Sequence, residues 1–166
     1  MRLPKPGKSR PPAGIRKNSV KQTMSAAEVD CSGDGGVMKR QLQAAPAGAA
    51  VPQKGEIVFA HYTGRLQDGS VFDSTEGKPH RKDGFYFKLG AGQVIGGWDV
   101  GFANMAIGEK AILACRHDYA YGAGGMPDAG IPAKATLEFE VELLDSRVMS
   151  DADLRAQDEK VAALRR

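Results

Sequence analysis

Residues 56–74, EIVFAHYTGRLQDGSVFDS, hold two apolar runs that are joined by a turn sequence. The first run alternates as a β-strand does, at Ile57, Phe59 and His61. Asp68-Gly69 follows it and is a strong hairpin signal, because glycine tolerates the positive φ of a tight turn. Val71–Asp73 then returns as the partner strand. The stretch predicts an antiparallel hairpin that opens the folded body.

The rest of the body also reads mainly as short strands. They are predicted at Val37–Leu42, Phe85–Leu89, Ala111–Cys115 and Thr136–Leu144. Apolar residues spaced by three and four predict one short helix over Val94–Met105. A long loop, Arg116–Lys134, follows the third of these strands, and loops of more than about 12–15 residues are usually functional. The predicted fold class is α+β, with an antiparallel sheet wrapped against a single helix.

Length and composition place the chain among globular proteins. The 166 residues suit one domain with tails, and 42% apolar with 26% charged residues excludes wholesale disorder. No run approaches the roughly 18 apolar residues that cross a bilayer, and no secretory signal is visible near Met1. We therefore expect a soluble protein without membrane contact. Cys31 and Cys115 lack CxxC partners, which favours a reducing compartment over a disulfide or a zinc site.

Charge separates the N-terminus from the body. Residues 1–23 carry seven Lys or Arg and no acid, whereas the remainder holds 16 basic and 20 acidic side chains, a net charge of −4. Residues 1–35 have four prolines and no aromatic residue, so we predict a disordered basic head. An acidic body argues against nucleic-acid binding. We expect a cytoplasmic protein, with mitochondrial or nuclear targeting through the head as the alternative, and translation from Met24 would remove the head.

The C-terminal segment, residues 147–166, is predicted to be a helical extension of the domain. Ser150 and Asp153 form a cap-like start, and aspartates precede arginines in the order that the helix dipole favours. The apolar stripe is narrow, consisting of Leu154, Val161 and Leu164. This pattern favours a solvated extension over a partner-binding helix.

No motif of hydrolytic, metal or nucleotide chemistry is present. GxSxG and HExxH do not occur, and the glycines at 90–96 have the wrong spacing for a dinucleotide loop. We therefore expect no metal and no cofactor. Aromatic residues from several predicted elements either form an ordinary core or line a small-molecule or peptide pocket, with Asp73 at its border.

The order of six motifs resembles the FK506-binding-protein (FKBP) family over about residues 36–145. The motifs are HYTG at 61–64, DGSVFDS at 68–74, GQVIGGWD at 92–99, DYAYG at 118–122, Ile131-Pro132, and ATLEFEVELL at 135–144. The resemblance implies an FKBP-like antiparallel half-barrel sheet around one short helix, with residues 36–146 as the isomerase domain. It also implies peptidyl-prolyl cis-trans isomerase activity and binding of FK506- or rapamycin-type macrolides.

The resemblance assigns roles to residues by matching the motifs. The implied catalytic residues are Asp73, Trp98, Tyr121 and Phe139. The implied residues that bind substrate or ligand are Tyr62, Phe72, Phe85, Val94, Ile95 and Ile131. Proline-containing peptides and protein clients are the implied partners of a monomer, and a pocket-bearing binding module with negligible turnover is the competing class.

Three departures from the family pattern concern the rim of the implied pocket. Gln93 stands where many members have an acid, and Met126 stands where a histidine is frequent. The segment Lys78–Gly84 is longer than in the smallest members, which leaves Arg81 as a candidate basic partner of Asp73. These departures bear on ligand affinity and sequence preference.

Overall fold

The computed structural model describes residues 28–165, so the disorder predicted for residues 1–27 lies outside the described part. Residues 28–35 differ from the predicted head, because strand β1 (Glu28–Asp30) already belongs to the sheet. Local hydrogen bonds replace apolar burial here. The Asp30 carboxylate accepts the N–H groups of Gly33 and Gly35, each at 2.9 Å. The folded body therefore begins earlier than predicted.

Within residues 28–165, seven antiparallel strands form one open sheet. After β1 they are β2 (Val37–Gln43), β3 (Ile57–Arg65), β4 (Val71–Ser74), β5 (Phe85–Lys88), β6 (Lys110–Cys115) and β7 (Leu137–Arg147). The strand order is β1-β2-β6-β7-β3-β4, and β5 pairs with the first half of β3 while β4 pairs with its second half. The predicted α+β class and the hairpin at Asp68-Gly69 are confirmed.

Helix α1 (Gly96–Phe102) packs across the inner face of the sheet. A Cβ on Gly101 would lie 2.7 Å from Leu113 Cδ1, so the glycine lets the helix approach β6 closely. The helix is shorter than the predicted span, because Ile95 is extended (ψ 150°) and the chain turns after Phe102. Trp98 and Phe102 point into the core.

A buried ion pair anchors the end of α1. Lys39 Nζ lies 2.8 Å from Glu109 Oε2 and donates to the Asn104 carbonyl at 2.6 Å. The other oxygen of Glu109 accepts the Ala106 N–H at 3.0 Å. These bonds tie β2 to the turn between α1 and β6, so both charges are partnered where water is excluded.

Strand β3 is buried on both faces over its first four residues. Val58 and Ala60 belong to the central core, whereas Phe59 faces outward against the Tyr86 ring at 5.6 Å and beneath the Arg147 guanidinium at 4.2 Å. The predicted alternation identified the strand, but the central core lies on the opposite face from Ile57 and Phe59. An alternating pattern does not reveal which face is inward when both are covered.

Helix α2 (Asp151–Arg165) begins with the predicted reciprocal cap. Ser150 N–H donates to the Asp153 carboxylate at 3.0 Å, and Asp153 N–H donates to Ser150 Oγ at 3.1 Å. Most of the helix is exposed, as predicted for a solvated extension, but one side of it contacts the body. Val161 is buried, Tyr86 donates a hydrogen bond to Asp158, and Lys160 pairs with Asp83 at 3.1 Å. None of the helices within residues 28–165 combines the length and the apolar composition of a bilayer span.

Candidate active site

An aromatic cluster surrounds Trp98, a residue of α1, which packs across the inner face of the sheet. The Trp98 ring lies 4.7 Å from Tyr62, 5.2 Å from Phe139 and 5.7 Å from Phe85, measured between ring centroids. All three contacts are close to edge-to-face, the geometry that ring quadrupoles favour. Trp98 is 5% exposed, while Tyr62 and Phe85 are half-buried. The tryptophan therefore forms a floor, and the other rings stand around it.

Phe72 extends the cluster along strand β4. Its ring lies 5.6 Å from that of Phe139, again edge-to-face. The approach depends on Gly64 in β3, because a Cβ there would lie 2.6 Å from Phe72 Cζ and 3.0 Å from Phe139 Cε1. The glycine of the HYTG motif therefore makes room for two rings of the candidate pocket.

Asp73 supplies the charged group at the rim. One carboxylate oxygen accepts a hydrogen bond from the Tyr62 hydroxyl, and the other lies 2.8 Å from Lys78 Nζ. Partial burial raises the pKa of Asp73, but the hydrogen bonds from Lys78 and Tyr62 outweigh it, so the net pKa lies below its ordinary value. Burial and the same hydrogen bond to Asp73 raise the pKa of Tyr62. Asp73 is thus held ionised and Tyr62 neutral at physiological pH.

Lys78, and not the candidate Arg81, is the basic partner of Asp73. Arg81 instead places its guanidinium over the rings of Phe85 and Tyr86, at 5.1 and 5.8 Å from their centroids. The choice depends on how the segment between β4 and β5 folds. A 3₁₀ turn at Pro79–Arg81 directs Arg81 toward the β5 aromatics and leaves Lys78 beside the aspartate.

Tyr121 and Ile131 come from the long loop, which contains two 3₁₀ turns, His117–Tyr119 and Pro127–Ala129. Ile131 is 2% exposed and belongs to the core, where Met126 and Ile131 exchange backbone hydrogen bonds at 2.9 and 3.0 Å. Tyr121 packs against the same core while half-exposed. Burial, and then the nearby Asp73 charge, raise the pKa of its phenol. Within residues 28–165 its hydroxyl has no hydrogen-bond partner.

Val94 and Ile95 form the entry to α1, and both pack against the core while partly exposed. Ile95 is the N-cap residue, and its carbonyl accepts the Trp98 N–H at 3.0 Å. No acceptor among the described residues takes up the Ile95 N–H. Nine of the ten residues that the sequence assigned therefore belong to, or pack against, the hydrophobic core that contains Trp98. Asp73 reaches it through its bond to Tyr62.

Two contributors lie outside the ten residues that the family motifs assigned. Phe87 packs beside Trp98, with 5.8 Å between ring centroids, and Lys78 neutralises Asp73. Phe87 shares the inward face of β5 with Phe85, so period-two alternation was a signal for it. No local pattern distinguished Lys78 from the other basic residues of its segment.

A groove of about 740 Å³ runs along the opposite face of the sheet, and Tyr62 and Lys78 border both it and the aromatic cluster. It is lined by polar and charged side chains that include His61, Thr63, Arg65, Lys110, Glu140 and Glu142. Trp98, Phe139 and Tyr121 do not border it. Charged side chains from several strands and the 75–82 segment line this groove, whereas aromatic rings surround Trp98, so we assign the candidate active site to the aromatic cluster.

Comparisons with known proteins agree with this geometry. Residues 48–144 match the family model of the FKBP-type peptidyl-prolyl cis-trans isomerases. FK506-binding protein 1A of Aspergillus fumigatus is 50% identical over 105 residues, which are 63% of this chain and 90% of that protein. FK506-binding protein 59 of Drosophila melanogaster is 49% identical over 117 residues, which are 70% of this chain but only 26% of that longer protein.

A solved structure supports the same assignment. The peptidyl-prolyl cis-trans isomerase of Pseudomonas syringae pv. tomato superposes with a TM-score of 0.62 at 29% sequence identity, covering 77% of this chain and 86% of that one. The family model spans more than half of the sequence. With the aromatic cluster in place around Trp98, this chain belongs to the FKBP-type peptidyl-prolyl cis-trans isomerases.

Proposed function

We propose that the aromatic cluster around Trp98 is the site at which this chain accelerates rotation about X–Pro bonds in peptides and folding proteins. The observation that carries the proposal is an apolar floor, Trp98, whose ring lies within 6 Å of the Tyr62, Phe85 and Phe139 rings, with the Asp73–Lys78 ion pair at the rim. The proline ring stacks on the indole, and Tyr62, Phe85 and Phe139 enclose it.

Desolvation is the main source of catalysis in this proposal. The planar amide is stabilised by resonance and by water, which together set a barrier of about 18–20 kcal/mol. The twisted amide has lost resonance and charge separation, so an apolar pocket favours it over the planar form. Accelerations of a thousandfold to a millionfold require about 4–8 kcal/mol of preferential stabilisation. No bond is made or broken, so the residues need only bind, orient and exclude water.

Two hydrogen bonds orient the substrate. The Ile95 N–H donates to the substrate carbonyl that follows the proline, and the Tyr121 hydroxyl makes the second polar contact from the long loop. Both groups lie without a partner among the described residues, which supports their availability. Asp73 holds the Tyr62 ring through its hydroxyl, and Lys78 balances its charge at the rim of the pocket.

A protease-coupled isomerisation assay on a proline tetrapeptide tests the proposal. We expect Asp73→Leu, Tyr121→Phe and Phe139→Ala each to lower kcat/KM, whereas Tyr86→Phe, the loss of a hydroxyl on the outer face, leaves it unchanged. Phe139 is 3% exposed, so its truncation also costs about 3–5 kcal/mol of stability and needs a melting curve beside it. A folded wild-type protein with no rate above background would refute the enzymatic role of the site.

The same pocket is proposed to bind FK506 and rapamycin, whose pipecolyl ring resembles a twisted prolyl group. Trp98 is the only tryptophan of the chain, so its fluorescence reports directly on the floor. We expect a saturable fluorescence change and a raised Tm with FK506, both weakened by Phe139→Ala. Binding without catalysis would instead identify a binding module, the competing class. Neither signal at saturating macrolide would contradict the assembled pocket.

We further propose that the enzyme acts as a monomer on proline-containing protein clients in the cytoplasm. One chain supplies every residue of the proposed pocket. Cys31 and Cys115 are both free thiols, as a reducing compartment favours. Sedimentation equilibrium tests the monomer, and a C-terminal fluorescent fusion distinguishes cytoplasmic from mitochondrial or nuclear localisation.

A further inference from the structure

A hydrogen-bonded cluster joins the N-terminal turn, Ser32–Gly36, to the long loop that carries Tyr121. Its centre is the Asp34 carboxylate, which accepts from the Tyr119 hydroxyl at 2.9 Å and lies 3.3 Å from an Arg116 guanidinium nitrogen. Ser32 Oγ and the Gly36 N–H also donate to this carboxylate, at 2.7 and 2.9 Å. Four donors on one carboxylate, one of them cationic, fix its position on the otherwise exposed turn.

The backbone strengthens the same junction. The Asp34 carbonyl accepts from Arg116 at 3.2 Å, and the Arg116 N–H donates to the Gly36 carbonyl at 2.8 Å. Arg116 also holds Asp118 through two hydrogen bonds of 2.7 and 2.8 Å. The turn Ser32–Gly36 and the 3₁₀ turn His117–Tyr119 are thus connected at several points, though they lie more than 80 residues apart in the chain.

The Tyr119 ring lies between two glycines. A Cβ on Gly36 would lie 2.2 Å from Tyr119 Cε2, so no side chain fits at that position without displacing the ring. On the other side, a Cβ on Gly96 would lie 3.6 Å from Tyr119 Cδ1, and one on Gly97 would lie 3.1 Å from the Tyr119 carbonyl oxygen. The ring therefore lies between the start of β2 and the start of α1, whose first residue, Gly96, follows Ile95.

From the 3₁₀ turn the contacts continue to Tyr121. The His117 carbonyl accepts the N–H of Ala120 at 2.9 Å and the N–H of Gly122 at 2.8 Å. These two residues flank Tyr121 in the chain. A displacement of the His117–Tyr119 turn would therefore move the backbone on both sides of the tyrosine.

We propose that Asp34 is a positioning residue for Tyr121, because its carboxylate holds the His117–Tyr119 turn against the body and that turn holds the backbone around the tyrosine. This inference rests on the proposed substrate contact of the Tyr121 hydroxyl. Asp34 lies outside residues 48–144, the part of the chain that matches the family model. The N-terminal turn thus contributes to the active site without contacting the substrate.

A double-mutant cycle in the proline-peptide assay tests the inference. We expect Asp34→Ala to lower kcat/KM about three- to tenfold. The loss is modest because the carboxylate is partly solvated and affects the substrate only through the position of Tyr121. In a Tyr121→Phe background the same change should cost less than twofold, since the hydroxyl that it positions is already gone. Asp34→Asn, which keeps an acceptor for Tyr119, should recover most of the loss.

A matched control and a second measurement keep the outcomes distinct. Asp145→Asn removes a comparably exposed carboxylate, paired with Arg147 at 2.7 Å, and should leave kcat/KM unchanged. Amide hydrogen exchange at Ala120 and Gly122 should be faster in Asp34→Ala than in wild type, independently of activity. Full additivity in the cycle, or unchanged exchange at both amides, would overturn the inference. An inactive wild type would refute the proposed function, while the exchange result would still decide whether Asp34 holds the loop.

Discussion

Gly64 is a single residue that shapes the candidate pocket because it has no side chain. It is buried in β3, and the space above its Cα is occupied by the ends of the Phe72 and Phe139 rings. The nearer contact is with Cζ of Phe72, the far end of a half-exposed side chain that can swing away. The substitution should therefore deform the candidate pocket more than it disturbs the fold.

We expect Gly64→Ala to lower kcat/KM for proline peptides by about tenfold while Tm falls by only a few degrees, since one displaced ring costs about 1 kcal/mol. The assay and a thermal melt measure the two effects. Gly92→Ala is the control, because it adds a methyl group at a glycine where no atom lies within 4 Å. The φ of Gly92 is 72°, so this variant also carries backbone strain. A Tm loss without an activity loss would show that Gly64 serves only the packing of the sheet.

The Asp73–Lys78 ion pair should make the stability of the protein depend on pH. The pKa of Asp73 lies below its ordinary value of 3.8. The stability that it contributes is therefore present above that value and is lost as pH falls through the lower folded-state pKa. Lys78→Met removes the largest stabilising contact of the carboxylate, so the pKa of Asp73 should rise.

We expect the acid limb of the Tm-against-pH curve to move to higher pH in Lys78→Met, with wild-type and variant curves converging at the lowest pH. Carbon-13 NMR titration of the Asp73 carboxyl measures the shift directly. Lys82→Met, a neighbouring cation without an ion pair among the described residues, is the control. An unchanged Asp73 pKa in Lys78→Met would show that Tyr62 alone holds the charge.

At the scale of elements, helix α2 belongs to the folded body but lies outside residues 48–144, which match the family model. Isolated helices of about 15 residues are marginal in water, so α2 depends on its contacts with the body. Those contacts are Val161, the Tyr86–Asp158 hydrogen bond and the Lys160–Asp83 pair. Burial and the bond to Asp158 raise the pKa of Tyr86 to about 12, which keeps the donor protonated at neutral pH.

We expect Val161→Asp to release α2 locally, because it buries a charge that has no partner. Amide hydrogen exchange should increase across 151–165 and in the Pro79–Arg81 turn that α2 contacts, while β6 and β7 stay protected. Leu164→Asp, at a 40% exposed position of the same helix, is the control and should have a much smaller effect. Global unfolding in Val161→Asp would mean that α2 belongs to the cooperative core.

At the scale of the whole molecule, charge and chemistry are separated along the chain. Residues 1–23 carry seven cations, whereas every residue placed at the proposed site or its support lies between positions 32 and 139. We expect a chain that begins at Met24 to keep full kcat/KM toward small proline peptides at low and at physiological salt. Collapse of that activity in a folded protein would mean that the N-terminal residues belong to the catalytic machinery.

Features that depend on chain neighbours were predictable from the sequence. The Asp68-Gly69 hairpin, the Ser150–Asp153 cap and most strand positions follow from steric and hydrogen-bonding rules that act within a few residues. The residues around Trp98 were predictable for a different reason, because six motifs in order matched a known family. Helix α1 was found, but its ends were not, since Val94 and Ile95 are apolar and yet precede the helix, which begins at Gly96.

Tertiary contacts decided what no local rule contains. The sequence by itself determined an antiparallel α+β domain with an aromatic site, because period-two alternation, turn chemistry and motif order are written along the chain. Only the folded structure decided that Lys78 and not Arg81 meets Asp73, that Val58 and not Phe59 faces the central core, and that Asp34 reaches Tyr119. Each of these contacts joins two segments whose distance depends on strand register and on the path of a loop. Several residues of the same type could make each contact, and the sequence does not distinguish them before the chain has packed.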